Sequence, residues 1–128
     1  MGDEKLRVLV VDDSAICRSA LRAALEADPE IEVVGEAEDG ERALEAVDRL
    51  KPSLITLDLI MPRLSGIETI ARVMKQRPTP ILVVTDQPTI HGEDMAFAAL
   101  SRGALDLLPK ATAWRPGSPE ARALIDGT

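Results

Sequence analysis

The sequence contains little of several residue types that small proteins often use for stability or chemistry. Its 128 residues include one cysteine, one histidine, two aromatic residues and no tyrosine. A single cysteine, Cys17, excludes an internal disulfide framework and fits a reducing cytoplasm. Cys17 lies at the spacing of an apolar helix face, so we interpret it as a packed small hydrophobe.

Long apolar runs and excess positive charge are also missing. No window is apolar enough for long enough to cross a bilayer, so we expect no membrane association. The N-terminal residues MGDEKLR lead directly into a predicted strand, so we expect no secretory signal and a cytoplasmic location. The net charge of −7 argues against direct binding to nucleic acid but not against a protein partner. No G-x-S-x-G motif is present, which argues against an esterase.

Apolar runs and turn residues predict one α/β domain over residues 1–128. Hydrophobic residues make up 45% of the chain, enough for a real core. The pattern predicts five strands that alternate with helices: Leu6–Val11, Ile31–Ala37, Leu54–Leu57, Ile81–Val84 and Ala104–Leu108. The acids in the second strand suggest a sheet edge. We expect a loop at 86–92, a helix at 93–102 that Gly103 closes, and a tail at 111–128 with a short last helix at 118–125.

Alternating strands and helices favour a parallel sheet with helices on both faces. Right-handed crossovers then place the carboxyl ends of all strands at one edge, where ligands bind in such sheets.

The stretch from Leu54 to Gly66, LITLDLIMPRLSG, occupies the centre of this predicted fold. A short buried strand ends in Asp58, and Ser65 to Glu68 then begins a helix with a capping-box pattern. Taken alone, Asp58 is equally consistent with a solvated turn residue.

Four of the five predicted strands deliver polar groups to the same edge. These groups are Asp12 and Asp13, Asp58, Thr85 and Lys110. Carboxylates crowded together repel unless a cation lies between them, and Mg²⁺ with oxygen ligands is the usual choice beside a phosphoryl group. A lysine and a hydroxyl would bind phosphoryl oxygens, and an ionised aspartate can act as nucleophile without a general base. The edge therefore predicts phosphoryl chemistry.

The chain resembles the receiver domain of two-component response regulators. The matching segments are VLVVDDS at 8–14, LDLIMPRLSG at 57–66, VVT at 83–85 and LPK at 108–110. The segments LKPSLITLD and TPILVVT look most like the receiver of the chemotaxis protein-glutamate methylesterase. The resemblance implies a flavodoxin-like sheet of order 2-1-3-4-5.

The resemblance also implies a role for each residue at the edge. Asp58 would accept phosphate from a sensor histidine kinase or a small phosphodonor. Asp13 and Asp58 would ligate Mg²⁺ together with the backbone carbonyl of Ile60, and Asp12 would hold a metal-bound water. Two further residues complete the implied site: Lys110 would bind the phosphoryl group, and Thr85 would move toward it as the switch residue.

The chain departs from the family pattern at Asp86, Leu107 and Ala111, which stand where a small residue, an aromatic residue and a proline are usual. We therefore expect it to accept phosphate but to signal this weakly or unconventionally to a downstream effector domain or protein. We expect a receiver from a longer regulator, limited to self-phosphorylation and autodephosphorylation. The alternatives are a degenerate receiver that only binds a protein, and a phospho-aspartate phosphohydrolase, which the apolar Ile60 disfavours.

Overall fold

A computed structural model describes residues 5–59, 61, 64–85, 89–90 and 93–109. The strands are β1 (Leu6–Val11), β2 (Ile31–Ala37), β3 (Leu54–Leu57), β4 (Ile81–Thr85), β5 (Thr89–Ile90), β6 (Glu93–Asp94) and β7 (Asp106–Pro109). The helices are α1 (Ala15–Glu26), α2 (Gly40–Leu50), α3 (Gly66–Gln76) and α4 (Met95–Arg102). None of the described helices is long and apolar enough to cross a membrane.

Five parallel strands form the main sheet in the order β2-β1-β3-β4-β7. When only the five strands of this sheet are numbered, so that β7 is the fifth, the order is the predicted 2-1-3-4-5. Strand β2 lies at the edge, as its acids suggested. Strand β3 lies in the centre, and all four of its residues are buried. Its central position explains its apolar, β-branched sequence, since both faces of a parallel sheet are covered.

Side chains that alternate along the strands supply two separate hydrophobic layers. Leu9 and Val11 of β1 belong to the layer that contains buried residues of α2 and α3. Val8 and Val10 belong to the other layer, together with Leu21 of α1. The sheet is therefore covered on both faces, as the alternation of strands and helices predicted. The predicted helix at 118–125 lies outside the described residues.

Each of the first three helices begins at a side chain that caps its first turn. Ser14 Oγ accepts a hydrogen bond from the Cys17 N–H at 3.2 Å. Asp39 and Ser65 cap α2 and α3 in the same way. At Ser65 the predicted helix start is confirmed, because its Oγ accepts from the Glu68 N–H at 3.2 Å. Ser14 and Asp39 follow the last residues of β1 and β2 by three and two residues, so these helices start at the edge of the sheet at which the strands end.

Strand β2 contains a β-bulge at Val34. Val8 pairs with Val33 and Leu9 pairs with Gly35, so Val34 has no partner in β1. Beyond this point Glu36 pairs with Val10 of the α1-facing layer. An extra residue in one strand re-aims the side chains that follow it. Glu36 is therefore turned toward α1.

The predicted boundaries differ from the structure near the fourth and fifth strands of the sheet. The loop predicted at 86–92 contains β5, which pairs with β6 in a two-residue antiparallel ladder. As a result α4 begins at Met95 rather than at 93. The last strand begins at Asp106 rather than at Ala104. Gly103 follows α4 with a positive φ of 118°, as its predicted role requires.

Candidate functional site

Asp12 and Asp58 are attached to the sheet through their backbone. The Asp12 N–H donates to the Ala37 carbonyl of β2 at 3.1 Å, and the Asp58 N–H donates to the Val11 carbonyl of β1 at 3.0 Å. Both bonds continue the ladder one residue beyond β1 and β3. The positions of the two acids are therefore set by the spacing of neighbouring strands.

The structure brings the three predicted acids together. Oxygen atoms of Asp12, Asp13 and Asp58 all lie within 4.8 Å of one another. Asp12 is 5% exposed and Asp58 is 6% exposed, whereas Asp13 is open to solvent. Three carboxylates around one point are the oxygen donors that Mg²⁺ prefers. The cluster therefore fits a hard divalent cation that is reached from the side of Asp13.

Asp12 is held by hydrogen bonds on its side chain and on its backbone carbonyl. Its Oδ1 accepts from the Ser14 N–H at 2.9 Å. Its carbonyl oxygen accepts from Nη1 of Arg18 at 2.7 Å. A carboxylate that accepts from the N–H two residues later forms an Asx-turn, and this turn of Asp12 leads from β1 into α1.

Thr85 lies at the same edge, one strand away from Asp58. It is the last residue of β4, is 2% exposed, and pairs with Pro109 of β7. Its predicted place at the edge is therefore confirmed, while its role stays a prediction. Lys110 and Ile60 lie outside the described residues, so their predicted roles also stay predictions.

The backbone just after Asp58 is packed against the start of α3. The Gly66 N–H donates to the Leu59 carbonyl at 3.0 Å. A Cβ at position 66 would lie 2.4 Å from Leu59 Cα and 2.8 Å from the Asp58 carbonyl oxygen. Only glycine leaves room for this approach. The sequence predicted the helix start but not this contact.

A group of ion pairs next to Asp12 was not predicted as part of the site. Glu36 accepts from Arg18 Nε at 3.0 Å and from Arg22 Nη1 at 2.8 Å. Partial burial alone would raise the pKa of Glu36, but hydrogen bonds from Arg22 and Arg18 outweigh it and hold the pKa below its ordinary value. The hydrogen bond to Glu36 raises the pKa of Arg22. Both arginines are ordinary polar residues of α1 in the sequence, and the bulge that brings Glu36 to them leaves no signal in the sequence.

Leu107 occupies the position where an aromatic residue is usual in the family. It is half-buried and packs against the hydrophobic layer on the α2 and α3 side of the sheet. Asp86 and Ala111 lie outside the described residues. The expected effect of these departures on signalling stays a prediction.

The strand order and the acidic edge together point to one class of protein, the receiver domains of two-component response regulators. Residues 8–115 match the response regulator receiver domain family, and the chain belongs to that family. Receiver domains bind Mg²⁺ at an acidic aspartate cluster and interact with histidine kinases and effector domains.

The chain is similar to chemotaxis proteins within this class. Protein-glutamate methylesterase/protein-glutamine glutaminase 1 of Geobacter sulfurreducens is 51% identical over 106 residues, which cover 83% of this chain and 29% of that protein. The corresponding protein of Pyrococcus horikoshii is 43% identical over 106 residues, 83% of this chain and 28% of that protein. The chain thus spans less than a third of the length of these curated relatives.

Solved structures show the same likeness in three dimensions. The response regulator domain of Thermotoga maritima CheB is 37% identical, with a TM-score of 0.87 over 97% of this chain and 96% of that one. The receiver domain of NarL, a putative response regulator of Mycobacterium tuberculosis, is 31% identical, with a TM-score of 0.82 over 98% and 99% of the two chains.

Proposed function

We propose that Asp58 is the phosphoacceptor of this receiver domain and that it takes phosphate from a histidine kinase. The observation that carries the proposal is the convergence of Asp12, Asp13 and Asp58 within 4.8 Å at the end of the central strand. Asp58 is the member that directly follows β3. Its N–H is bonded to β1, and the backbone just after it is packed against Gly66 at the start of α3. A nucleophile held in this way is positioned before its substrate arrives.

The proposed reaction is an in-line transfer of a phosphoryl group. A carboxylate oxygen of Asp58 attacks phosphorus and forms a new P–O bond. The bond from phosphorus to the leaving group breaks, which is P–N in phosphohistidine and P–O in acetyl phosphate, and the leaving group keeps the electron pair. No general base is needed, because the attacking carboxylate is already ionised at neutral pH.

Asp12, Asp13 and Asp58 would hold Mg²⁺, together with the backbone carbonyl of Ile60. The ion would neutralise charge on the phosphoryl oxygens, and Lys110 would add a second positive charge. In this proposal Thr85 donates its hydroxyl to the phosphoryl group from the adjacent strand end. These residues stabilise charge and position the reactants, which is most of what phosphoryl transfer requires.

The similarity to protein-glutamate methylesterases supports a more specific proposal about partners. The chain would receive phosphate from a chemotaxis-type histidine kinase in the cytoplasm and would control a methylesterase effector. The matched region is 83% of this chain but only 28–29% of two such relatives, which fits a receiver linked to an effector.

The test is to incubate the protein with labelled acetyl phosphate and Mg²⁺ and to measure incorporation. Asp58→Asn should abolish labelling, and removal of Mg²⁺ should abolish it in the wild type. Asp39→Asn is a matched control, because Asp39 is 3% exposed and caps α2 outside the cluster. Asparagine caps a helix about as well as aspartate, so this variant should label normally.

Equal labelling of Asp58→Asn and the wild type would refute the assignment. Absence of labelling in the wild type would favour a receiver that binds a partner without being phosphorylated.

A further inference from the structure

Arg18 connects the acidic edge with the edge strand of the sheet. Its Nη1 donates to the Asp12 carbonyl oxygen at 2.7 Å, and its Nε donates to Glu36 at 3.0 Å. The side chain of Arg18 is only 16% exposed, although it lies on the polar face of α1. A guanidinium holds its donors in one rigid plane, so two simultaneous bonds fix where it lies.

These bonds complete the restraint of the Asp12 backbone. The Asp12 N–H is bonded to Ala37 of β2 at 3.1 Å, and its carbonyl is bonded to Arg18 at 2.7 Å. The backbone is thus held on both sides of the residue, and the side chain is restrained separately, because Oδ1 accepts from the Ser14 N–H at 2.9 Å. Without Arg18, the carbonyl of the peptide that joins Asp12 to Asp13 would lose the hydrogen-bond donor that helps to fix the plane of this peptide.

The positive charge of Arg18 lies close to a site for a cation, which would by itself weaken cation binding. Glu36 accepts hydrogen bonds from both Arg18 and Arg22 and supplies a negative charge beside them. Glu36 can do so because the bulge at Val34 turns it toward α1. The arginine can therefore hold the carbonyl while its charge is partly neutralised.

We propose that Arg18 is a positioning residue for the Mg²⁺ site, with Glu36 as its counter-charge. Arg18 acts through Asp12, by fixing the peptide from which the Asp12 and Asp13 carboxylates extend. This inference rests on the proposed function, because the orientation of these acids matters only if they bind the cation. Partners that orient metal-binding residues typically change metal affinity by about 10- to 100-fold when they are removed.

The test compares Arg18→Met with Arg22→Met by calorimetric titration with Mg²⁺. Arg22 is the matched control, because it lies one turn further along α1 and bonds to the same Glu36 at 2.8 Å, while its backbone contact is the Val33 carbonyl at 3.4 Å. Arg18→Met should weaken Mg²⁺ binding about tenfold. Arg22→Met should change it less than about twofold, because an exposed charge is well screened.

A second measurement needs no metal. In the metal-free protein, Arg18→Met should shift the NMR signals of the Asp12, Asp13 and Ser14 amides, and Arg22→Met should leave them in place. Arg18→Lys keeps a positive charge and a donor, so it should bind Mg²⁺ more tightly than Arg18→Met. Equal Mg²⁺ affinity and equal amide shifts in the two methionine variants would overturn the proposal.

Glu36→Gln keeps the inference testable if Arg18→Met does not fold. Glutamine retains an acceptor for Arg18 but removes the counter-charge, so Mg²⁺ binding should be about two- to threefold weaker than in the wild type at low ionic strength, and this difference should shrink as salt is added. Unchanged affinity at low salt would overturn the role of Glu36. A wild-type protein that binds no Mg²⁺ would instead contradict the proposed function, so the two failures are distinguishable.

Discussion

Replacement of Gly66 by alanine tests whether close packing behind Asp58 supports the site. The backbone of Gly66 is not in the left-handed region, since Gly103 is the one described glycine with positive φ. Alanine can therefore adopt the conformation, and helix propensity alone would favour it by up to ~1 kcal/mol. The steric clash of the added Cβ outweighs this gain, so we expect the variant to be less stable than the wild type. The new Cβ would lie 2.4 Å from Leu59 Cα, a backbone atom.

The expected size of the effect follows from that distance. Carbon atoms in contact prefer about 3.5–4.0 Å, so the backbone after Asp58 would have to move by roughly 1 Å. Overpacking of this kind costs ~1–3 kcal/mol, and a rigid backbone neighbour argues for the upper part of that range. The net loss should be about 2 kcal/mol, which lowers the urea midpoint of unfolding by about 1 M. Phosphorylation by acetyl phosphate should slow at least tenfold, since a shift of roughly 1 Å in a reacting group can cost about 100-fold.

Gly35→Ala is the control for this experiment. The nearest atom to a Cβ at Gly35 is Leu50 Cδ1 at 2.5 Å, which is the end of a side chain that can rotate away. This variant should lose less than about 1 kcal/mol of unfolding free energy and should be phosphorylated normally. The reasoning fails if Gly66→Ala unfolds at the same urea concentration as the wild type, or if the two variants lose equal stability.

Two further predictions concern stability. Thr56 Oγ1 is buried in β3 and finds no hydrogen-bond partner among the described residues. In a denaturation assay, Thr56→Val should therefore raise the unfolding free energy by about 1 kcal/mol. Thr69→Val is the control: it removes a 2.8 Å bond to the Ser65 carbonyl and should lower the unfolding free energy. Because two arginines hold the pKa of Glu36 below its ordinary value of 4.5, its stabilising effect is present above that value and is lost as the pH falls through the folded-state pKa. The stability gap between the wild type and Glu36→Gln should thus be below about 1 kcal/mol near neutral pH and should close in acid, and a gap that widens in acid would contradict this.

The sequence predicted the sheet well because its signals there are strong and local. The bounds of β1, β2 and β3 agree with the apolar runs and with the proline and glycine residues between them. The ladder between β5 and β6 was missed because two-residue strands are too short to show alternation. The bulge at Val34 was missed because it depends on which residue of β1 each residue of β2 faces, and this pairing is set by the assembled sheet.

The candidate site was likewise predicted in one part and missed in another. The convergence of Asp12, Asp13 and Asp58 was predicted because strand ends and crossover handedness are enough to bring them to one edge. The contacts of Arg18 and Gly66 were not predicted, because each depends on how closely a helix approaches a loop. In both cases the residue type gave no warning: an arginine on a polar helix face and a glycine at a helix start are ordinary.

The bulge in β2 also affects how the chain tolerates changes in length. In a regular strand, loss of one residue turns every later side chain to the opposite face. Val34 is the exception, because it is the residue that has no partner in β1. Its deletion would leave Gly35 opposite Leu9 and Glu36 opposite Val10, so the carboxylate would still face α1. Because Val33 and Val34 are the same residue type, loss of either gives the same chain. Loss of Glu32 would instead place Val33 opposite Arg7 and turn it away from the α1 side, so β2 is able to shorten at its bulge but not before it.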